Sequence, residues 1–349
     1  MSGGVDSSVV AALMHRDGND VVGISMRLYA AAPTAGRSCC SPDDLADARS
    51  VAEQAGFPFY VANYQDEFRR LVVDHFVDEY RRGRTPSPCV LCNDHLKFDT
   101  LLRRMHALGG DVLATGHYAR IEQIDGRWAL LRGVDQAKDQ SYFLFGLSRD
   151  VLSRIVFPLG GMTKTDVRAM AVELGVPTAY KAESQDICFV GSGSYVDIVD
   201  AALSPEQRRP GQIVHAETGE VLGAHDGIHR FTIGQRRGIG IAAPEPLYVK
   251  RIDADSGRVE VAPRGTLDER IVLLDRCNWL RWENPPETFE ASIQLRYRHK
   301  PVAARVCVEG ATARVELGAG QPGIAPGQAA VFYDGDEVLG GGWIEQVGE

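Results

Sequence analysis

Ser2-Gly3-Gly4-Val5-Asp6-Ser7-Ser8, running directly into Val9-Val10-Ala11-Ala12-Leu13, is the stretch whose reading decides the fold. Its glycines let the backbone bend without a Cβ, and successive N–H groups leading into a helix start form a cradle for oxyanions. Serine hydroxyls line the mouth of that helix. An ordinary N-cap also places serine or aspartate before an apolar run. Capping needs one such residue, however, and this stretch carries two glycines, one aspartate and three serines. The lysine of the G-x-x-x-x-G-K-S/T loop is missing, which disfavours a standard nucleoside triphosphatase. A phosphate loop normally follows a buried strand, yet only Met1 precedes this one. Either the fold begins without that strand or the true start lies upstream, and the second is the preferred expectation.

The loop resembles that of the ATP pyrophosphatases, which carry S-G-G-x-D-S. The resemblance implies that Ser2 to Ser8 hold the pyrophosphate end of ATP and that the product is an adenylated intermediate plus pyrophosphate. A triphosphate also calls for magnesium, with Asp6 as the nearest candidate ligand.

The 349 residues, 44% of them apolar, bury a substantial core and divide into two or three domains. No run of eighteen apolar residues occurs and the start is not a secretory signal, so no membrane partner and a cytoplasmic location are expected. Seven cysteines are too few and too odd a number for a disulfide scaffold, so each invites a chemical question. A net charge of −9 argues against non-specific polyanion binding, although an acidic protein can still present a local basic face.

Strand and helix alternate through the first half, as βαβ units do. Val21 to Met26 reads as a buried parallel strand. Ala30 to Cys40 reads as a loop, and Ser41-Pro42-Asp43-Asp44 as a capped helix start. That helix ends near Gly56. Phe59-Tyr60-Val61 is the next strand. Phe68, Leu71, Val72, Phe76 and Tyr80 recur at helical spacing up to Gly83. Asp111 to Arg120 reads as a strand ending in a turn, at the sheet edge where ligands bind, so Gly116 and His117 are natural contacts; a satisfied structural histidine is the alternative for His117. Trp128 to Leu131 adds a hairpin strand, and Thr163-Lys164-Thr165-Asp166 opens a helix with a capping box.

Between these elements lie the chemical motifs. Thr85-Pro86-Ser87-Pro88-Cys89-Val90-Leu91-Cys92-Asn93 contains a C-x-x-C pair. A redox pair, half a zinc site, iron–sulfur ligation and a sulfur-handling nucleophile all fit that spacing. Structural zinc needs four ligands, and no second C-x-x-C exists in the chain. In Lys138-Asp139-Gln140-Ser141-Tyr142 a lysine and a glutamine suit a phosphate and a base edge, as a plain solvated turn would also explain. Cys188, between Ile187 and Phe189, reads on spacing alone as a small core residue.

Beyond Leu203 short hairpins take over, at Gln212 to Gly223 and Leu247 to Ala262, with Phe231-Thr232-Ile233-Gly234-Gln235-Arg236-Arg237-Gly238 between them. From about Ile271 alternating runs recur with the cadence of a small barrel or sandwich. Arg296-Tyr297-Arg298-His299-Lys300 mixes charge with a ring, which suits RNA; a solvated strand end is the alternative.

S-G-G-V-D-S-S, C-N-x-x-x-K-F, A-T-G-H-Y-A-R, K-D-Q-S-Y, S-Q-D-I-C-F and F-T-I-G-Q-R-R-G together resemble the bacterial tRNA-specific 2-thiouridylase family over nearly the whole chain. The resemblance implies an α/β fold: an N-terminal parallel sheet with helices on both faces (1–202), a small mainly β domain (203–268) and a C-terminal β-barrel-like domain (269–349). It implies ATP-dependent 2-thiolation of the wobble uridine of tRNA, with Cys188 carrying a persulfide and Cys92 the second thiol of a disulfide. It places Met26 and Gly116 at the nucleotide. Ser87, Pro88, Cys89, His117, Lys138, Asp139, Gln140, Arg296, Tyr297 and Gln328 fall to tRNA. A persulfide donor, such as a cysteine desulfurase or sulfur-relay protein, and an external reductant follow as partners. In the best-described form of the family an aspartate stands three residues before the nucleophilic cysteine; here that position is Cys89. Cys89, Cys92 and Cys188 holding a 4Fe–4S cluster is therefore an alternative. GMP, NAD, argininosuccinate and tRNA-lysidine synthetases share the loop but need no paired thiols. A non-catalytic RNA-binding protein with a degenerate nucleotide fold is the rival from another class.

Overall fold

The computed structural model describes residues 1–29, 41–182, 187–191 and 193–348. The Ala30 to Cys40 loop, and Glu183 with the Ser184 to Asp186 part of the S-Q-D-I-C-F motif, lie outside them. The chain forms two compact units. The first comprises Met1–Val72, Cys89–Gly193 and Asp336–Val338; the second comprises Val73–Pro88, Ser194–Gly335 and Leu339–Glu349.

In the first unit α1 (Val5–Arg16) starts at Gly4, which supplies no side-chain cap. It is followed by β1 (Gly23–Arg27), α2 (Pro42–Ala55) and β2 (Phe59–Asn63). Strand β1 runs one residue past Met26, and it pairs in parallel with β2, Ile24 opposite Tyr60. Met1 donates its N–H to the Ile24 carbonyl and accepts from the Ser25 hydroxyl, so the residue before the loop lies alongside β1. Ser41 caps α2 through a capping box with Asp44, Pro42 opens it, and Gly56 closes it at φ 88°. Every one of those signals was local, which is why the helix ends match the expectation.

The run from Phe68 to Tyr80 is not one uniform helix. α3 (Gln65–Phe68) passes through a π turn at Arg69–Val73 into α4 (Asp74–Arg81), which belongs to the second unit. Phe68, Val72, Phe76 and Tyr80 are spaced by four residues, which overshoots the 3.6-residue turn, and a wider turn absorbs the drift. A second π turn, Cys92–Thr100, follows the short α5 (Pro88–Leu91) and leads to α6 (Leu101–Ala107), with Leu101, Leu102 and Met105 buried.

The expected strand over Asp111 to Arg120 is shorter and divided. β3 (Leu113–Ala114) stops at the Gly116 turn, and β4 (Ala119–Ile124) then forms an antiparallel hairpin with β5 (Arg127–Arg132). β3 pairs in parallel with β6 (Ile155–Val156), and α7 (Lys164–Glu173) completes the unit under a Thr163–Asp166 capping box. Val5, Val9 and Val10 of α1 pack with Val51 and Ala52 of α2 and Val167 and Ala171 of α7 in one core. That three-helix contact holds the mouth of α1 in place.

The second unit contains α8 (Tyr195–Ala202), then β7 (Gly211–His215), β8 (Val221–His225), β9 (Leu247–Asp253) and β10 (Arg258–Pro263). They form a four-stranded sheet in the order β8-β7-β10-β9, antiparallel except for β7 with β10. Both hairpins expected from the glycine-marked turns are present. β11 (Asp268–Trp279), β12 (Thr288–Gln294), β13 (Val302–Glu309), β14 (Thr312–Pro322), β15 (Ala329–Asp334) and β16 (Glu337–Gly348) follow. Their order is β11-β14-β13-β12-β15-β16, and β16 returns to β11, Trp343 opposite Asp275, so the barrel is closed and has no edge. Val272, Ile293, Val306, Val315, Phe332 and Ile344 fill it.

Candidate functional site

The phosphate loop is ordered by its own side chains and by residues from elsewhere in the first unit. Gly3 adopts φ 71°, and a Cβ there would stand 2.1 Å from the Asp44 carbonyl oxygen, so only glycine fits. The Ser7 hydroxyl accepts from the Ser2 N–H at 3.0 Å and lies 3.2 Å from the Ser2 hydroxyl. Gly116 sits directly against the loop: a Cβ would come 3.0 Å from the Ser7 nitrogen. Val5 and Ser8 are buried behind the mouth, and Met26 is half-buried on β1.

Asp6 is the electrostatic centre of the loop. Its Oδ1 accepts the Tyr118 hydroxyl at 2.9 Å, and Lys164 Nζ donates to Oδ1 at 2.7 Å and Oδ2 at 2.8 Å. Lys181 Nζ donates to the Gly3 carbonyl at 3.0 Å and to carboxylates of Asp44 and Asp47, which hold its ammonium protonated despite partial burial. Tyr118, Lys164 and Lys181 escaped the sequence reading. Lys164 registered only as part of a helix cap, and its partner lies 158 residues away.

The K-D-Q-S-Y segment proves to be part of this scaffold. Asp139 is buried and accepts from Arg132, Ser141 and the Gly133 and Ser141 N–H groups. Gln140 brackets Tyr118, its side-chain oxygen accepting the Tyr118 N–H at 3.0 Å while its own N–H donates to the Tyr118 carbonyl at 2.9 Å. Lys138 is half-exposed at the turn. His117 is 8% exposed between Phe98 and Phe157, with Nδ1 2.7 Å from the Thr115 hydroxyl. Burial, reinforced by the Lys97 charge, holds its imidazole well below the usual value, so it is neutral.

Both candidate sulfur-handling cysteines lie in this unit. Cys92 is buried at the start of the second π turn and Cys89 is exposed one short helix earlier. Asn93 beside Cys92 donates to the Phe143 carbonyl at 3.1 Å, tying the turn to the segment after Gln140. Cys188 is half-buried; its carbonyl accepts the Tyr29 hydroxyl at 2.7 Å, and the ring of Phe189 meets Phe68 edge-on at 5.7 Å. Asp94 is a further residue the sequence did not flag. Its carboxyl packs on Gly146, where a Cβ would be 2.1 Å from Oδ2, and its buried Oδ1 has no hydrogen-bond partner. Burial pushes that carboxyl up to about 8. Among the described residues no group of three histidine, cysteine or acidic side chains has metal-holding geometry.

In the second unit Ser87 and Pro88 are buried, while Arg296 and Arg298 are exposed just after β12. Arg298, at φ 61°, lies over the Tyr297 ring 5.3 Å from its centroid, and Arg296 reaches the Pro322 and Gly323 carbonyls at 3.5 and 3.4 Å. Gln328 donates through Nε2 to the Thr85 and Pro86 carbonyls at 3.0 and 2.9 Å, so its amide fixes the approach to Ser87.

A parallel-stranded α/β unit with a lysine-free phosphate loop at a helix mouth, continued by a small β sheet and a closed barrel, defines an ATP-pyrophosphatase-type nucleotide enzyme with two β domains. Family profiles agree: residues 1–192 match the tRNA methyl transferase HUP domain, 202–263 the tRNA methyl transferase PRC-barrel domain and 269–344 the aminomethyltransferase beta-barrel domain. Curated relatives named tRNA-specific 2-thiouridylase MnmA are similar throughout. That of Geobacter metallireducens is 51% identical over 99% of this chain and 95% of its own length. Those of Geotalea uraniireducens and Acidobacterium capsulatum are 50% and 47% identical, again over 99% of this chain, covering 93% and 97% of theirs. The chain belongs to the tRNA-specific 2-thiouridylase family.

Proposed function

We propose that the protein is an ATP-dependent tRNA-uridine 2-sulfurtransferase acting on the wobble uridine. The observation that carries this reading is the presence, in one compact unit, of a lysine-free phosphate loop and the Cys92 and Cys188 segments, each held by its own hydrogen bonds. An oxygen at C2 of uridine is a poor leaving group, and ATP activates it. The oxygen attacks the α-phosphate, pyrophosphate departs into the Gly3 to Ser8 cradle, and the base is left adenylated. The terminal sulfur of a Cys188 persulfide attacks C2 and AMP leaves, giving a C2–S–S–Cys188 adduct. The Cys92 thiolate then attacks the Cys188 sulfur. The adduct's S–S bond breaks, its electron pair leaves with the C2 sulfur as thiouridine, and a Cys92–Cys188 disulfide forms. A two-electron external reductant restores both thiols.

Magnesium fits Asp6, a hard oxygen ligand at the cradle, because this ion is held by one or two carboxylates together with substrate phosphates. When bound it would neutralise charge on the polyphosphate. Ser2 to Ser8, Met26 and Gly116 serve the nucleotide. Lys138 and Cys89 on the first unit, and Arg296 and Tyr297 on the second, face RNA. His117, Asp139 and Gln140, and Ser87, Pro88 and Gln328, shape those surfaces from behind. The proposed domains are 1–202, 203–268 and 269–349. Purified protein given tRNA, ATP, a persulfide donor and reductant should convert uridine to 2-thiouridine with stoichiometric pyrophosphate. Uridine left unmodified in an assay where pyrophosphate is also absent would refute the reading.

A further inference from the structure

The F-T-I-G-Q-R-R-G motif has no part in the route proposed above, and it builds a cavity of its own in the second unit. Gly234 at φ 82° and Gly238 at φ 76° turn the chain around Gln235, Arg236 and Arg237, a conformation that favours glycine. The Gln235 side chain closes the loop on itself, its Oε1 accepting the Thr232 N–H at 2.9 Å and its Nε2 donating to the Arg237 carbonyl at 2.9 Å. β9 holds the loop from outside: the Gly234 N–H donates to the Val249 carbonyl at 2.8 Å, and the Val249 N–H to the Gln235 carbonyl at 2.9 Å. A loop pinned at both levels presents its side chains without reordering.

The cavity beside it measures about 640 Å³, within the roughly 300–1,000 Å³ of small-ligand sites. Tyr195, His225 and Phe231 give it three rings. Tyr195 is stacked on Tyr80 of α4 with centroids 4.5 Å apart, and Phe231 meets His225 edge-on at 5.0 Å. His225 contributes a neutral ring: its Nε2 lies 3.0 Å from the Gly257 carbonyl, its Nδ1 accepts the Gly227 N–H at 3.2 Å, and burial holds the imidazole below its usual value. Arg230 on the lining already donates to Asp200 at 2.6 Å, and Asp226 adds an exposed carboxylate. Arg236 and Arg237 stand exposed in the loop between two lining residues, Gln235 and Gly238. Positive charge therefore continues along the loop beyond the cavity.

We propose that this cavity receives one unstacked nucleotide of the tRNA, its base against the Tyr195, His225 and Phe231 rings and the neighbouring phosphates on Arg236 and Arg237. This rests on the tRNA reading given above. Aromatic side chains in a concavity suit a single-stranded base, for which they replace the stacking of its RNA neighbours, while Asp226 and Arg230 supply an acceptor and a donor for the base edge. A free mononucleotide would carry its charge into the cavity, where Arg230 is already matched by Asp200. Two consecutive arginines outside the cavity suit instead a chain whose phosphates continue past the bound base.

The test uses the full-length protein with unmodified tRNA. Filter binding over a range of salt compares the wild type with an Arg236→Ala/Arg237→Ala double variant and with Tyr195→Leu, and ultraviolet cross-linking of the wild-type complex is read by mass spectrometry. Thermal melting checks the fold of each variant. Should Tyr195→Leu unfold through loss of its stack on Tyr80, the double variant, altered only at exposed side chains, and the cross-link carry the test. The double variant should weaken tRNA and lower the log–log salt slope by about 1.4–1.8, at roughly 0.7–0.9 for each of two phosphates. Tyr195→Leu should weaken tRNA about 5- to 150-fold with the slope unchanged, the range for losing one base–ring stack. The cross-linked nucleotide should fall within residues 225–239. A slope unchanged in the double variant overturns the assignment, and so does a complex that cross-links only outside that segment. The same cross-link formed by uridine or adenosine monophosphate alone and undisturbed by tRNA also overturns it, giving the cavity to a free nucleotide. Wild-type protein that retains no tRNA refutes the sulfurtransferase reading itself, and the site falls with it.

Discussion

Cys188 stands in a setting that neither its spacing nor its neighbours in sequence announce. Tyr29 holds its carbonyl and Phe189 packs against Phe68, so the backbone is anchored while the residue stays half-buried. Cys188→Ser is expected to abolish thiolation yet leave tRNA-dependent pyrophosphate release, because in the proposed route the cysteine acts after activation. A thiolation assay run beside a pyrophosphate assay separates the two steps, and 2-thiouridine formed by the serine variant would remove Cys188 from the route. Asp94 gives a second test at this scale. Its carboxyl is protonated in the folded protein up to about pH 8 and ionised in the unfolded chain above about pH 4. The folded state therefore holds one more proton across that window, and its stability falls as pH rises through it, by at most about 1.4 kcal/mol per pH unit. Above pH 8 the loss is complete and flat. Asp94→Asn should flatten this slope, so that urea melts at pH 5 and pH 8 differ less in the variant than in the wild type.

At the level of elements, the loop, α1 and the turn after β3 behave as one assembly because two glycines permit close approach. Gly3 faces the Asp44 carbonyl at the start of α2, and Gly116 faces the first turn of α1. Gly3→Ala adds a Cβ at positive φ and against backbone, a strain of roughly 1–3 kcal/mol. It should lower the melting temperature and weaken ATP together. Gly116→Ala is a milder insertion, 3.0 Å from backbone atoms of Asp6 and Ser7, and should shift the loop with little loss of stability. Calorimetric ATP titrations alongside melting curves would show the contrast, and normal ATP affinity in both variants would dissociate the glycines from the nucleotide site. The π turns belong to the same scale. One lets four-residue apolar spacing continue through Phe68 to Tyr80, and the other runs from Cys92 to Thr100.

For the whole molecule the question is how an acidic protein recognises RNA. The net charge of −9 leaves recognition to local features, and the exposed Arg296 and Arg298 beside Tyr297 are the proposed one on the second unit. Arg296→Ala and Arg298→Ala should each weaken tRNA binding and reduce the log–log salt dependence by about one unit for each phosphate no longer neutralised. Filter binding between 50 and 200 mM salt, roughly the range where such slopes are steep, is the measurement. Slopes unchanged in both variants would make these arginines a solvated strand end. No helix among the described residues is long and apolar enough to cross a membrane.

Local chemistry was legible from the chain alone wherever the signal and its effect lay within a few residues. The glycine-serine loop at Ser2 to Ser8, the capping boxes at Ser41 and Thr163 and the two hairpins β7–β8 and β9–β10 are cases in which neighbours in sequence are the interacting partners. Tertiary structure alone decided what those pieces touch. Asp6 is answered by Lys164 and Tyr118, Gly3 by Lys181 and Gln140 by Tyr118, across 158, 178 and 22 residues. Asp139, Gln140 and Gln328, expected at the RNA, place polar atoms on internal backbone and side-chain partners. A buried polar group must find a partner within about 3 Å in space, and nothing in the order of residues says which distant segment the packing of α1, α2 and α7 brings that close.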